Sequence, residues 1–193
     1  MTPPRLDGWL ADPVVRTHHR RAGRVGAEEL WSAALKVRLS DTRALGRLIR
    51  WRIPDTAADG SFGELFRGYP FTVLEEAPAS LVCGLCGRIW TLTRDYPVLE
   101  DRAAFREWDE SGTVRVLFAH WVESMGEDRA ELVSEARVQP VDRSAALRLR
   151  ALWGAVGPFE RLVGSEALTA AVRQAEAERD HRARGRPAAS SRR

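Results

Sequence analysis

Residues 113–138, TVRVLFAHWVESMGEDRAELVSEARV, decide the predicted fold, because apolar and polar side chains alternate in two runs around a polar connection. A period of two is the spacing of a β-strand with one buried face. The runs Thr113–Glu123 and Arg129–Gln139 therefore predict an antiparallel hairpin. Pro140 ends the second run, and a helical pattern follows from about residue 142 to about residue 177. A hairpin that leads into a long amphipathic helix predicts a strongly curved sheet that closes around that helix.

The two faces of this hairpin differ in polarity. One face is apolar and is predicted to meet the helix; it consists of Val114, Val116, Phe118, His120 and Val122 with Ala130, Leu132, Ser134, Ala136 and Val138. The other face carries Arg115, Glu131, Glu135 and Arg137. An antiparallel sheet with one buried and one solvated face fits this division, so the charged face is predicted to lie in water.

The chain before the hairpin predicts one strand, two helices and a meander of strands. Residues 55–68, DTAADGSFGELFRG, are rich in glycine and small polar residues and predict a mobile loop. The other predicted elements are a strand at Val14–Val25, a helix from Ala27, a short helix capped by Ser40 or Asp41, and strands at Phe71–Glu75, Leu81–Trp90 and Ala103–Trp108.

Composition indicates one soluble globular domain. The chain has 193 residues, of which 44% are hydrophobic and 30% charged, and its net charge is only +3. Acidic residues are interspersed with the arginines, so a nucleic-acid partner is not expected. No apolar run reaches the roughly 18 residues of a membrane span, so no stable membrane insertion is expected. The N-terminus lacks the apolar core of a secretory signal, and two cysteines make no disulfide framework, which predicts a cytoplasmic location.

The order of elements resembles the START-like helix-grip superfamily (SRPBCC), and in particular its polyketide cyclase/dehydrase-like group. The residues that carry this resemblance are the strand-to-helix entry VGAEELWSAAL (25–35), the hairpin quoted above, and the segment WGAVGPFERLVG (153–164) of the last helix. The resemblance implies an α+β helix-grip fold, with an antiparallel sheet around the last helix and an apolar cavity between them. It covers residues 14–177, with an irregular lead-in at 1–13 and a disordered basic tail at 178–193.

Members of this superfamily bind lipids, sterols, polyketides or other hydrophobic molecules, and a minority catalyse reactions on them. The resemblance therefore implies a hydrophobic small-molecule ligand, and it implies no cofactor and no metal. An aromatase/cyclase-type enzyme is the alternative, although no cluster of Arg, Asp, Tyr and His can be placed in the cavity of this chain. The predicted cavity walls are Leu85, Trp90, Phe105, Trp108, Val116, Phe118, His120, Trp153 and Phe159. The sequence names neither the ligand nor the oligomeric state.

His120 is the polar residue on the apolar face and the candidate acid or base. It can fix a carbonyl or hydroxyl group of a ligand, or it can transfer protons near neutral pH. The alternative is a core histidine that hydrogen-bonds to a backbone carbonyl or to Ser134 across the hairpin. His18 and His19 are interpreted as surface residues of the first strand.

Cys83 and Cys86 form a CxxC pair, which in other contexts is a redox dithiol or half of a zinc site. Here the surrounding residues LVCGLCGRIW predict a strand, in which residues three apart point to opposite faces. Two small apolar strand residues are therefore the favoured interpretation.

Two further features of the sequence leave alternatives open. The second helix carries Arg43, Arg47, Arg50 and Arg52, which either form a solvated face or meet anionic lipid headgroups. Phe62 and Phe66, on the predicted loop, either form a lid over the cavity or seal an edge of the core.

Overall fold

The fold was described from a computed structural model, which covers residues 2–53, 56–91 and 96–184 without the side chains of residues 52, 156 and 158–164. Its sheet has five antiparallel strands in the order β1-β5-β4-β3-β2. The strands are β1 Val15–Gly23, β2 Thr72–Ala77, β3 Ser80–Gly87, β4 Val114–Ser124 and β5 Ala130–Pro140. The helices are α1 Ala27–Lys36, α2 Ala44–Arg52, α3 Phe62–Leu65, α4 Arg102–Glu107 and α5 Arg143–Arg184.

The hairpin of β4 and β5 has the predicted register. His120 lies opposite Ser134, and Phe118 lies opposite Ala136, so the apolar members of both strands share one face. β5 also pairs with β1, and β4 with β3, which makes the hairpin the centre of the sheet. A register shift between Val73 and Glu75 adds an irregularity where β2 forms the edge.

Helix α5 crosses the inner face of this sheet and has two packing regions. Leu149, in its first part, packs with Val15, Val114 and Val138 at one end of the sheet. Leu168 and other residues of its last part pack with α1 and the opposite end of the sheet. At 1.5 Å per residue its 42 residues span about 60 Å. The backbone is helical through Gly157 and Pro158.

The outer face of the sheet is covered, which corrects the prediction of a solvated face. Leu117, Ala119, Trp121 and Val133 are buried there under the N-terminal residues Leu6, Trp9 and Leu10 and under Phe105 of α4. These apolar residues alternate with the inner-face residues, so both faces of the central strands are buried. The predicted irregular lead-in 1–13 is thus a packed cover that contains a short 3-10 helix, Leu6–Gly8.

A buried ion-pair network holds this cover on the sheet. The guanidinium group of Arg137 donates to Glu135 at 2.6 Å, to the backbone oxygen of Leu10 at 2.8 Å and to the carboxylate of Asp7. The side chains of Arg137 and Glu135 are 6% and 3% exposed, so both charges are buried. The sequence had predicted that they lie in water. Hydrogen bonding to Arg137 lowers the pKa of Asp7. The two charges on the outer face therefore hold the N-terminal segment.

Helix α4, Arg102–Glu107, replaces the strand predicted at Ala103–Trp108. The carboxylate of Asp101 accepts hydrogen bonds from the N–H groups of Ala103 and Ala104, both at 2.9 Å, and so caps α4. Phe105 then lies over β3 at Gly84. A Cβ atom on Gly84 would come within 2.5 Å of the Phe105 ring, which explains why a glycine interrupts this apolar strand.

Residues 56–68 are more ordered than the predicted loop. Ser61 and Glu64 form a reciprocal capping box that starts α3, and Phe62, Leu65 and Phe66 are each 8% exposed. At the other end of the chain, α5 continues to Arg184, beyond the predicted domain limit at residue 177. The remainder of the predicted tail, 185–193, is outside the described residues.

The predicted α+β helix-grip fold is confirmed. A five-stranded antiparallel sheet packs on a long C-terminal helix, and two helices follow the first strand, as the resemblance to the START-like superfamily implied.

Candidate ligand cavity

A cavity of about 420 Å³ lies between the inner face of the sheet and the helices. Small-molecule sites generally fall between about 300 and 1,000 Å³, so this space has the size of a ligand site. Strands β1, β3, β4 and β5 form its floor, and α1, α2, α3 and α5 form its walls and roof. Most of the described lining side chains are aliphatic or aromatic.

Five of the nine predicted wall residues line this cavity: Leu85, Val116, Phe118, His120 and Trp153. The four strand residues among them lie on the inner face of β3 and β4. Phe159 lies among the residues whose side chains are not described. The ligand contacts of all these residues stay predictions.

The other three predicted wall residues, Trp90, Phe105 and Trp108, are not among the residues lining the cavity. Phe105 is fully buried in the outer cluster, and Trp108 packs against the same cluster while its indole N–H donates to Thr113 at 2.9 Å. Both were misplaced because this segment forms α4 and its C-cap on the outer face instead of a strand. Trp90 follows the end of β3 and lies beside Arg148 of α5, with its ring 5.9 Å from the guanidinium carbon.

A row of three polar side chains crosses the cavity floor. Ser134 of β5 lies directly between His19 of β1 and His120 of β4 in the register of the sheet, and all three line the cavity. Neighbouring strands are about 4.8 Å apart, so the row spans about 10 Å. Thr17 of β1 is a further polar group on this floor. The polar lining is thus concentrated on the sheet.

His120 is half-buried in the floor of the cavity, and one of its ring nitrogens lacks the hydrogen bond that a core histidine normally makes. Its Nε2 atom has no partner among the described residues, although Ser134 lies opposite in the register. The imidazole packs on Phe66 with the ring centres 4.6 Å apart. Burial lowers the pKa of His120 from 6.5 to about 4, so the ring is neutral near pH 7. A neutral imidazole with an unpaired nitrogen is suited to hydrogen-bond a ligand oxygen or hydroxyl.

His19 is the residue of this row that the sequence reasoning assigned to the surface. Adjacent residues of a strand point to opposite faces, so one of His18 and His19 had to face inwards. The pairing of Thr17 with Ala136 and of His19 with Ser134 selects the inward residue. The alternation in β1 shows that His18 and His19 face opposite ways. Only the register with β5 shows which of them faces the cavity.

Phe62 of α3 and Phe66, which follows its last residue, pack over the floor of the cavity. Phe66 contacts Phe71 at 5.1 Å and Phe118 at 5.7 Å between ring centres, and Phe62 lies 6.2 Å from Phe66. Phe62 and Phe66 line the cavity and also belong to the inner core cluster. The packing of both rings in this cluster fits the core-edge alternative, and the lid stays a prediction.

Helix α2 forms part of the roof, with Leu45, Leu48 and Ile49 lining the cavity. Its start is not capped by Ser40 or Asp41 as predicted. Instead the carboxylate of Glu166 on α5 accepts hydrogen bonds from the N–H groups of Ala44 and Leu45, at 3.0 and 2.9 Å. A carboxylate at a helix N-terminus is favoured by the helix dipole. The first turn of α2 is thus hydrogen-bonded to α5.

Cys83 and Cys86 lie on opposite faces of β3, as the strand spacing predicted. Cys83 belongs to the inner cluster and Cys86 to the outer one, and both are free and buried. Burial raises the pKa of each thiol to about 12. Because the thiolate is the reactive form, neither sulfur is poised for redox chemistry.

The described residues contain neither a candidate metal site nor a helix suited to span a membrane. No three His, Cys, Asp or Glu side chains come together there in a way that could hold a metal ion. None of the helices in the described ranges has a stretch that is long and apolar enough to cross a membrane.

No protein-family profile and no curated protein matches this chain. Solved structures similar to it include a conserved protein of Geobacillus kaustophilus, with 12% identity, a TM-score of 0.42, and coverage of 85% of this chain and 97% of that one. A hypothetical protein of Helicobacter pylori has 10% identity, a TM-score of 0.41, and coverage of 91% and 96%. The Zhui aromatase/cyclase of Streptomyces sp. R1128 has 16% identity, a TM-score of 0.33, and coverage of 89% and 98%. Likeness at this level implies no shared activity.

Proposed function

We propose that the protein binds a hydrophobic small molecule, lipid-, polyketide- or sterol-like, in the cavity between sheet and helices. The observation that carries this proposal is a space of about 420 Å³ whose described lining is mostly apolar, with a short row of polar side chains on its floor. Burying an apolar ligand there is favourable by about 25 cal/mol per Å² of surface, before the costs of ordering it. The cytoplasmic location of the protein remains a prediction.

The polar row supplies orientation to such a ligand. An apolar skeleton fits the helix side of the cavity, while an oxygen atom of the ligand hydrogen-bonds to His120, Ser134 or His19. A hydrogen bond from the ligand to the unpaired Nε2 of His120 contributes most to the binding free energy. A buried polar group without a partner is unfavourable by about 1–3 kcal/mol, and the bond removes this penalty. We therefore expect oxygenated ligands to bind more tightly than hydrocarbons of the same shape.

Filling the cavity tests this proposal. Ala136 lies on the floor between Thr17 and Phe118 in the register, so Ala136→Phe places a ring inside the cavity. The neutral apolar dye N-phenyl-1-naphthylamine is the probe, detected by energy transfer from the cavity residues Trp31 and Trp153. We expect at least tenfold weaker dye binding by Ala136→Phe.

The matched control is Ala177→Phe, which adds the same ring on the exposed side of α5. Thermal unfolding establishes that both variants fold. Equal dye binding by Ala136→Phe and the control would refute binding in this cavity. Native mass spectrometry of the freshly purified protein addresses the natural ligand, because a co-purified hydrophobic compound should be present in the wild type and depleted in Ala136→Phe.

The row of His19, Ser134 and His120 also favours a second candidate, an aromatase/cyclase-type enzyme in which His120 transfers protons. Acid–base catalysis is most effective when the pKa lies near the working pH. The pKa of about 4 makes His120 a weak base, which favours the binding protein. His120→Ala separates the two, since it should abolish turnover by an enzyme and only weaken binding by a carrier.

A further inference from the structure

Helix α2 presents a positively charged surface on the side away from the cavity. Residues 42–53 contain four arginines and neither aspartate nor glutamate. Arg43, Arg47 and Arg50 are exposed and follow one another at steps of four and three residues. Side chains at these spacings are neighbours on a helix, so the three guanidinium groups share one side of α2.

The three arginines also lack ion-pair partners in the described part of the chain, whereas some exposed arginines elsewhere are paired. Arg20 pairs with Glu131, and Arg182 pairs with Glu29, as do several others with nearby carboxylates. Within the described ranges, no ion pair involves Arg43, Arg47 or Arg50. The charge of this surface is therefore not compensated by the described part of the chain.

The carboxylates that contact the start of this region are engaged with backbone groups. Asp41 accepts a hydrogen bond from the N–H group of Arg38 at 2.9 Å, and Glu166 accepts those of Ala44 and Leu45. Both lie at the N-terminal end of α2. The positive surface continues past them to the last turn of the helix.

An apolar edge borders the arginines. Trp51 is 63% exposed and Leu48 is 45% exposed, and at a spacing of three residues they are neighbours on the helix. Leu48 also lines the cavity, so this edge connects the outer surface with the cavity roof. Exposed tryptophan and leucine beside arginine are typical of helices that lie in the interface of a membrane.

We propose that α2 is a docking surface for an anionic phospholipid bilayer. Trp51 and Leu48 enter the headgroup layer, and Arg43, Arg47 and Arg50 contact lipid phosphates. Charge complementarity selects a phosphate-bearing partner, and the exposed apolar edge favours a bilayer over a nucleic acid. Docking on the bilayer does not depend on the proposed function. The transfer of a ligand between bilayer and cavity past Leu48 rests on the proposed function.

Co-sedimentation with vesicles tests the docking. Vesicles of phosphatidylcholine with phosphatidylglycerol are compared with vesicles of phosphatidylcholine alone. The wild type is expected to bind the anionic vesicles and to dissociate as salt increases. Each basic residue near an anionic surface changes the partition by about fivefold, so the double variant R43Q/R47Q is expected to bind about 25-fold more weakly.

The matched control is R129Q/R173Q, which removes two exposed arginines, and the same net charge, from other surfaces. It is expected to bind nearly as the wild type does, whereas W51A binds more weakly even at low salt. The docking proposal is overturned by equal binding to neutral vesicles, by equal loss in both double variants, or by duplex DNA binding in preference to vesicles. Dye binding in the cavity, measured in parallel, reports on the proposed function separately.

Discussion

The unpaired imidazole of His120 allows a prediction whose size follows from the structure. Leucine in place of His120 removes a buried polar atom that has no described partner. Such an atom destabilises the folded state by about 1–3 kcal/mol, so His120→Leu should raise the free energy of unfolding by that amount near neutral pH. In a domain of this size each kcal/mol raises the melting temperature by about 2–4 °C.

The pH dependence is a sharper test of the same environment. The pKa of His120 is lowered by burial from 6.5 to about 4 in the folded protein. Between these values the unfolded chain binds the proton and the folded protein does not, so stability falls as the pH falls. One pKa unit corresponds to about 1.4 kcal/mol, which makes this loss about 3 kcal/mol, an upper value because part of the ring faces the cavity.

Urea unfolding followed by circular dichroism, at several pH values from about 7 to about 4, measures this difference. Other groups titrate in both proteins and cancel when the variant is compared with the wild type. The advantage of His120→Leu should therefore grow as the pH falls. His181→Leu, which replaces an exposed histidine of α5, is the control and should keep the wild-type profile. A constant difference between wild type and His120→Leu across this range would refute the deep burial of an unpaired imidazole.

Two further predictions concern the outer face and β3. Arg137→Met should lower the free energy of unfolding by about 3–5 kcal/mol, because the buried carboxylate of Glu135 and the N-terminal segment at Asp7 lose their partner. Urea unfolding measures this difference. A change below about 1 kcal/mol would show that the network contributes little. Cys83 and Cys86 should resist a thiol reagent in the native protein and react only after unfolding, because burial raises both pKa values to about 12; rapid native labelling would contradict this placement.

Much of the fold was predictable because it depends on local periodicity. The alternation in residues 113–138 specified both strands and their facing residues, since a strand exposes alternate side chains to one side. The same spacing placed Cys83 and Cys86 on opposite faces. The helix after Pro140 followed from its apolar spacing. These features need no knowledge of distant residues.

The errors arose in a segment too short for its periodicity to be decisive, and where the deciding contact comes from far along the chain. Residues 103–108 are too few for periodicity to separate strand from helix, and the cap at Asp101 with the packing of Phe105 decided for helix. For that reason Phe105 and Trp108, two of the predicted wall residues, lie on the outer face. Likewise α2 is capped by Glu166, more than a hundred residues away, which no local pattern reveals.

The sequence by itself determined the hairpin, the long helix and an apolar inner face with His120 on it, because the periodic spacing of apolar residues within each segment specifies these features. Only the tertiary structure decided that the outer face is covered, that Arg137 and Glu135 are buried, and that His19 joins Ser134 and His120 across three strands. The physical reason is that burial of a sheet face and alignment of strands are set by which segments pack together, and alternation alone contains no information about the partner.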